Sequence, residues 1–240
     1  MKVIICKNYD EMSAAAADIV AKVMKSDPAC VLGLATGSTP VGMYQKLIEM
    51  NKAGEIDFSG VTTVNLDEYY PISPENDQSY RYFMNENLFD HVNIDKTRTF
   101  VPDGQAADPA AACDAYEEIV AKVGAADVQV LGIGQNGHIG FNEPAQALEL
   151  RTHVTDLTES TIKANARFFA SEADVPTKAM TMGIGTIMNA KKIIILANGV
   201  AKHAAVAKML EGKLDTSCPA TMLNLHRDVT VICDEMAYNG

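Results

Sequence analysis

The sequence predicts an α/β protein: a single doubly wound, mainly parallel sheet with helices on both faces, a Rossmann-like fold. Short apolar segments alternate with longer amphipathic ones, glycine-rich or polar turns follow several of the apolar segments, and no repeat or linker interrupts the pattern. Continuous apolar strands are typical of parallel sheets, because helices bury both faces of such a sheet. A chain of 240 residues can bury one full core, so we expect residues 1–240 to form a single domain.

The strands are expected where apolar and β-branched residues form short runs bounded by turn residues. The first run lies at the N-terminus, and the turn Ser26-Asp27-Pro28 precedes the second. The predicted strands, in order, are Val3–Cys6, Cys30–Ala35, Val61–Leu66, Asp127–Leu131, Thr152–Val154, Ile193–Ala197 and Val229–Cys233.

The helices are expected where apolar residues recur with helical spacing beside a charged face. Alanines fill the apolar face of the first helix, and Thr158 suits the cap of the fifth. The predicted helices, in order, are Tyr9–Lys25, Val41–Lys52, Ser79–Phe89, Pro109–Val123, Leu157–Phe168, Met182–Asn189 and Val200–Leu210.

The charge balance narrows the classes of partner. A net charge of −11, from 20 basic and 31 acidic residues, argues against nucleic acid or an anionic membrane as the main partner. The five cysteines are widely spaced and include no C-x-x-C pair, which indicates a reducing compartment and no structural zinc. We expect a cytoplasmic protein, because the N-terminus does not have the pattern of a signal peptide and no apolar run reaches transmembrane length.

The most informative stretch is the loop from Gly132 to Pro144, which follows an apolar strand and carries an imidazole, a carboxylate and side-chain amides. It contains a G-x-G-x-x-G match, with Asp156 about 20 residues further on, as in dinucleotide-binding proteins. That fingerprint requires a helix to open at its third glycine. Gly140 and Pro144 would break such a helix at once, so a catalytic loop is the better interpretation.

A second loop, Thr36-Gly37-Ser38-Thr39-Pro40, leads from a strand into a helix. Thr39 suits the helix N-cap and Pro40 the first helical position. Backbone N–H groups freed by Gly37, together with the helix dipole, would favour an anion such as phosphate. An ordinary strand-to-helix turn explains the same residues equally well.

Acidic and basic side chains suggest further parts of a site. Asp67, with Glu68 beside it, closes a strand, where it is as well suited to capping the next element as to acting as a general base. His138 lies in the glycine-rich loop near Glu143, and no His or Cys spacing builds a metal site. Arg167 and Lys202 could neutralise an anionic ligand, although each cation taken alone is more often a solvated surface charge.

Five segments together resemble the glucosamine-6-phosphate deaminase family. Their order runs from the first strand to the last, so the resemblance covers essentially the whole chain. They are Leu32–Pro40, Asn65–Tyr69, Gly134–Pro144, Asn165–Phe169 and Ala179–Ile184.

This resemblance implies conversion of glucosamine 6-phosphate and water into fructose 6-phosphate and ammonia, with no metal or cofactor. Asp67 matches the general base of the family, and His138 matches the residue that assists ring opening, with Glu143 as its charged partner. The residues matched to the phosphate are Thr36, Gly37, Ser38, Thr39, Arg167 and Lys202.

Two departures from the family pattern affect the expectations. Many members carry Asp where this chain has Asn136, so more of the charge stabilisation of an imidazolium would fall on Glu143. The region of His153, Thr155 and Asp156 carries no counterpart of the basic residues of allosteric, hexameric relatives. We therefore expect a monomer or small homo-oligomer without activation by N-acetylglucosamine 6-phosphate.

Two other functions fit the same sequence features. A 6-phosphogluconolactonase-like hydrolase would share the fold and a sugar-phosphate substrate but would not need Asp67 as a base toward carbon. A non-catalytic sugar-phosphate sensor would have no need for Asp67, His138 and Glu143 together.

Overall fold

A seven-stranded sheet dominates the computed structural model, which describes residues 1–158, 162, 169 and 175–240. The strands within these residues are β1 (Lys2–Cys6), β2 (Val31–Leu34), β3 (Thr62–Asn65), β4 (Asp67–Tyr70), β5 (Thr99–Phe100), β6 (Val128–Gly132), β7 (His153–Asp156), β8 (Lys178–Thr181), β9 (Ile193–Ala197) and β10 (Val229–Asp234). The main sheet has the order β1-β10-β9-β6-β2-β3-β5, and all of its neighbouring strands run parallel. The predicted fold class is confirmed.

Helices precede or follow the strands of this sheet. The α-helices in the described residues are α1 (Tyr9–Ser26), α2 (Val41–Lys52), α3 (Tyr80–Asn87), α4 (Pro109–Val123), α5 (Ile184–Met188), α6 (His203–Leu210) and α7 (Glu235–Asn239). Short 3₁₀ helices cover Phe89–His91, Lys96–Arg98, Val200–Lys202 and Pro219–Leu225. None of the helices in the described ranges combines the length and apolar character that a membrane span requires.

The strand order determines where a ligand can bind. The N-terminal half of the chain supplies β2 and β3 on one side of β6, and the C-terminal half supplies β9 and β10 on the other. Open α/β sheets bind ligands at such a switch point, beyond the carboxyl ends of the strands. The loops that leave β2, β6 and β9 therefore share one edge of the sheet.

A second, antiparallel sheet was not predicted from the sequence. It has the order β4-β8-β7 and pairs Asp67 with Thr181 and His153 with the same Thr181. The sequence predicts a single strand over Val61–Leu66 that Asp67 and Glu68 close. In the structure β3 ends at Asn65, and Asp67 begins a new strand whose partner lies far along the chain.

The core follows these two sheets. The main cluster fills both faces of the parallel sheet, where β2 and β9 are buried throughout. A smaller cluster contains Tyr69, Ile72, Phe141, Leu157 and Ala179, with Tyr80, Ile162 and Phe169 partly buried against it. This smaller cluster joins the antiparallel sheet to the loop after β6.

Several predicted elements are confirmed at their boundaries. Helices α2 and α4 and strand β9 span the residues predicted for them. The helix predicted at Val200 begins instead as a 3₁₀ turn and becomes α-helical at His203. The helix predicted over Leu157–Phe168 lies largely outside the described residues.

Candidate active site

The loop after β6 is a tight turn that presents His138. Gly134 N donates to His138 O at 2.9 Å, and Gly137 N donates to Gly134 O at 3.0 Å. A methyl group added at Gly134 would lie 2.4 Å from the His138 ring, so the imidazole covers the glycine. Gly137 has a φ of 84°, a left-handed conformation that favours glycine. No helix opens here, as predicted from Gly140 and Pro144.

His138, Glu143 and Asn136 form a connected group. His138 Nδ1 lies 3.2 Å from Glu143 Oε1, within ion-pair range, although in the described part of the chain Nδ1 has no partner in hydrogen-bond geometry. Asn136 Nδ2 donates to Glu143 Oε2 at 2.6 Å, and its Oδ1 accepts from His138 N at 3.1 Å. A hydrogen bond donated to a carboxylate stabilises its charged form. Asn136 thus orients the carboxylate that faces the imidazole.

Asp67 lies beside this loop and is 6% exposed. Its Oδ2 would be 3.5 Å from a methyl group added at Gly140, which would also lie 2.8 Å from Thr181 Oγ1. Thr181 Oγ1 accepts from Phe141 N at 3.1 Å and thereby ties the loop to β8. The structure therefore brings Asp67 to the same loop that carries His138 and Glu143.

Burial changes the acidity of Asp67. It raises the pKa of this carboxyl from 3.8 to about 8, and the negative charge of Glu68 adds to the effect. Removing water from around a carboxylate penalises its charged form, and a neighbouring like charge acts in the same direction. A carboxyl with such a pKa accepts a proton more readily than an ordinary aspartate does.

The loop after β2 differs in detail from its prediction. Helix α2 begins at Val41 with Pro40 as its N-cap, which has no side-chain capping bond, so the assignment of Thr39 as N-cap was wrong by one residue. Thr39 Oγ1 donates instead to Asn198 Oδ1 at 3.2 Å. Gly37 has a φ of 88°, and no atom would lie within 4 Å of a methyl group added there. The backbone at Gly37 is therefore open to a ligand.

The loop after β9 meets the loop after β2. Asn198 accepts the hydrogen bond from Thr39, and Asp234 accepts hydrogen bonds from Gly199 N at 2.9 and 3.0 Å. Lys202 follows at the N-cap of α6 and is half-buried. The structure thus brings Thr36 to Thr39 and Lys202 to one edge of the sheet, whereas Arg167 lies outside the described residues.

Tyr80 was not identified from the sequence as part of the site. Its hydroxyl lies near the side chains of Tyr69 and Thr36, and its ring stacks on Phe141 with a centroid distance of 6.1 Å. It therefore connects the loops after β2 and β6. Its position inside a predicted helix offered no signal of this role.

The described residues contain no cluster of three or more His, Cys, Asp or Glu side chains that could hold a metal ion. The chemistry that these residues can support is proton transfer. Asp67 supplies a basic carboxyl, and the His138–Glu143 pair supplies an imidazole beside a carboxylate. Such positioned groups accelerate reactions that move protons on a bound substrate.

Comparison with known proteins identifies the family. A family model described as glucosamine-6-phosphate isomerases/6-phosphogluconolactonase matches residues 7–232. The chain belongs to this family. A protein of Clostridium perfringens (strain 13 / Type A) named glucosamine-6-phosphate deaminase is 58% identical over 237 residues, which cover 99% of this chain and 98% of that protein. A protein of the same name from Thermoanaerobacter sp. (strain X514) is 57% identical and covers 99% of this chain and 94% of its own length.

Solved structures agree with this assignment. A structure described as a monomeric glucosamine-6-phosphate deaminase superimposes with a TM-score of 0.97 at 48% identity, covering 99% of this chain and 98% of its own. The 6-phosphogluconolactonase of Trypanosoma brucei superimposes with a TM-score of 0.80 at 20% identity, covering 98% and 97%. At this lower identity the second similarity establishes the fold alone.

The raised pKa of Asp67 predicts a pH-dependent stability. With a pKa near 8, the Asp67 carboxyl stays protonated in the folded protein between about pH 4 and pH 8. In the unfolded chain the same carboxyl loses its proton at about pH 4. Asp67 therefore destabilises the fold progressively as pH rises from about 4 to about 8. Asp67→Asn should remove this penalty and increase the free energy of unfolding relative to wild type at pH 9 by an amount on the order of 6 kcal/mol.

Urea unfolding of both proteins at pH 5 and pH 9 measures this effect. The advantage of Asp67→Asn should be larger at pH 9. An equal difference between the two proteins at both pH values would mean that Asp67 titrates normally.

Proposed function

We propose that the chain catalyses the conversion of glucosamine 6-phosphate and water into fructose 6-phosphate and ammonia. The observation that carries this proposal is the buried Asp67 carboxyl beside the loop that holds His138 and Glu143, in a chain 58% identical to a protein named for this reaction. The reaction needs a base toward carbon and a group that moves a proton on the sugar ring. The site offers one of each.

The first step in this proposal is ring opening. His138 moves the proton between the C1 hydroxyl and the ring oxygen, which breaks the C1–O5 bond and produces the open-chain aldehyde. Glu143 stabilises the imidazolium that forms, because its Oε1 lies 3.2 Å from Nδ1. Asn136 contributes by holding that carboxylate through its amide N–H. Glu143 therefore stabilises the positive charge and Asn136 orients Glu143, because an amide cannot itself balance a positive charge.

The second step is proton transfer between carbons. Asp67 removes the proton from C2, the electron pair forms the C1–C2 double bond, and the π pair of the C1 carbonyl moves to O1, which takes up a proton to give an enol. The same carboxyl then returns the proton to C1 as the nitrogen lone pair moves into the C2–N bond. The nitrogen is then double-bonded to C2 as an iminium. Water adds to C2 and ammonia departs, which leaves the ketone of fructose 6-phosphate. Burial of Asp67 supports this role because it makes the carboxyl a stronger base.

The phosphate is assigned to the loop after β2. Thr36, Gly37, Ser38 and Thr39 would supply backbone N–H and hydroxyl donors, and the open space at Gly37 supports a close approach. The positive charge for the phosphate would come from Arg167 and from Lys202, which lies in the adjoining loop. The net charge of −11 means that the rest of the protein supplies little positive charge. Together they would hold the phosphate away from the reacting carbons.

The family description also names 6-phosphogluconolactonase, which makes lactone hydrolysis the second candidate. Hydrolysis of a lactone breaks an acyl C–O bond and leaves the C2 hydrogen in place. That reaction does not require the buried Asp67 carboxyl, with its pKa of about 8, as a base toward carbon. A sensor without catalysis would likewise gain nothing from it.

Further properties follow as proposals from the same assignment. The enzyme acts as a hydrolase in amino-sugar metabolism, in the catabolism of N-acetylglucosamine, and works in the cytoplasm as a monomer or small homo-oligomer. The solved relative at 48% identity is described as monomeric, which supports the small assembly.

A coupled assay for ammonia and fructose 6-phosphate tests the proposed reaction. Wild-type protein given glucosamine 6-phosphate should release the two products in equal amounts, and Asp67→Asn should reduce the rate by about 10³-fold or more, because the amide cannot accept the C2 proton. Hydrolysis of 6-phosphogluconolactone without ammonia release would favour the second candidate. Binding of glucosamine 6-phosphate with no turnover would favour the sensor.

Glu143→Gln tests the assignment of ring opening. The substitution keeps the shape of the side chain but removes the charge beside His138, so we expect the rate to fall by about 10²-fold. Glu118→Gln, at an exposed position on α4, is the matched control and should keep the wild-type rate. Near-normal turnover by Glu143→Gln would refute the role of the pair.

Steady-state kinetics test the expectation that N-acetylglucosamine 6-phosphate does not activate the enzyme. The rate should rise hyperbolically with glucosamine 6-phosphate concentration, and N-acetylglucosamine 6-phosphate should not activate the enzyme. Sedimentation of the same sample should give a monomer or small oligomer. Sigmoidal kinetics that N-acetylglucosamine 6-phosphate converts to hyperbolic would contradict this expectation.

A further inference from the structure

We propose that Glu68 is a positioning residue of this site: its carboxylate fixes the start of α3, which carries Tyr80, and places a negative charge beside Asp67. The inference deepens the proposed function and rests on Asp67 acting as the base. The sequence alone did not distinguish capping from catalysis for the adjacent Asp67 and Glu68.

The contacts of Glu68 show what it holds. Its Oε1 accepts hydrogen bonds from Tyr69 N at 2.9 Å and from Tyr80 N at 2.8 Å, and its Oε2 accepts from Arg81 N at 3.0 Å. The side chain is 2% exposed. The first N–H groups of a helix have no partner within the helix and carry its positive dipole end. Glu68, in β4 of the antiparallel sheet, accepts hydrogen bonds from two of these N–H groups. A third, Tyr82 N, donates to the Ser79 hydroxyl.

This anchoring determines where Tyr80 lies. The Tyr80 ring packs 4.8 Å from Tyr69 and stacks on Phe141, and its hydroxyl lies near the Thr36 side chain. The start of α3 therefore spans from the proposed phosphate loop to the loop after β6. Loss of the Glu68 carboxylate would remove the acceptor of the Tyr80 and Arg81 N–H groups at the start of α3 and release this bridge.

The second part of the role is electrostatic. Asp67 and Glu68 are neighbours in β4, so their side chains leave opposite faces of the strand. The Glu68 charge nevertheless raises the pKa of Asp67, after burial. Burial raises the pKa of Glu68 itself to about 7, while its backbone hydrogen bonds and Arg81 act in the opposite direction.

Among the described residues, the other groups that we identify around Asp67 carry no charge near neutral pH. Tyr44, Tyr80 and Tyr116 face it from α2, α3 and α4, and all three have phenol pKa values raised by burial. From β8 it meets Thr181, and from the loop after β6 it meets Gly140. Within this set, the charge that acts on Asp67 comes from Glu68, which is itself faced by Arg81.

Two substitutions separate the anchoring from the charge. Glu68→Gln removes the charge and keeps the length, so the pKa of Asp67 should fall, and the acid limb of kcat/KM should move to lower pH by about one unit. Glu68→Asp keeps the charge but shortens the side chain, so the limb should stay in place while kcat falls about tenfold. Glu86→Gln, exposed on the same helix, is the control and should change neither.

Hydrogen exchange of the Tyr80 and Arg81 amides provides a readout that does not depend on activity. Exchange should be fastest in Glu68→Asp, which withdraws both acceptor oxygens, and closer to wild type in Glu68→Gln, which keeps the length and one acceptor oxygen; Glu86→Gln should match wild type. An acid limb that stays in place in Glu68→Gln, or unchanged exchange of these amides in Glu68→Asp, would overturn the proposal. If Glu68→Gln does not fold, hydrogen exchange of the Tyr80 and Arg81 amides in Glu68→Asp still tests whether Glu68 anchors the start of α3. If wild type releases no ammonia, the proposed function fails, while the exchange result still decides the anchoring.

Discussion

Burial of the Asp67 carboxyl where the chain passes from one sheet to the other is the constraint on which the site depends. Leu66 makes the transition: its N–H donates to Leu34 O in the parallel sheet, and its carbonyl accepts from Met182 N, next to the antiparallel sheet. The following residue is thereby drawn inside the molecule and paired with Thr181. Thr181 in turn accepts a hydrogen bond from Phe141 N. A single junction therefore brings the proposed base to the loop that carries His138.

The burial that raises the pKa of Asp67 also lowers the stability of the fold when this carboxyl is ionised. A buried carboxyl without a cationic partner is costly to ionise, so the fold favours the protonated form. Asp67 and Glu68 are both buried, but only Glu68 has its oxygens satisfied by several backbone N–H groups. Asp67 and Glu68 therefore have different roles, although they are adjacent and both carry a carboxyl group. One is held by the backbone and supports a helix, and the other faces the loop where a substrate would bind.

The sequence predicted the parallel sheet and the loops at its edge because these depend on local patterns: apolar runs, glycines and strand-to-helix turns. It did not predict the antiparallel sheet, since β4 is polar and aromatic and its partner β8 is distant in sequence. The N-cap at Thr39 was wrong for a similar reason, because Asn198 from another loop takes its hydroxyl. The choice between capping and catalysis at Asp67 and Glu68 also needed tertiary contacts. The parts played by Arg167 and Lys202 in phosphate binding stay predictions.

Direct titration of the Asp67 carboxyl tests the central claim most closely. In protein labelled with ¹³C at the aspartate carboxyl groups, the resonance missing from Asp67→Asn identifies Asp67. Its chemical shift, followed against pH in the wild-type protein without substrate, should have a midpoint of about 8. A midpoint near 4, the ordinary value for an aspartate, would contradict the account, because the carboxyl would then be hydrated and no stronger a base than one on the surface.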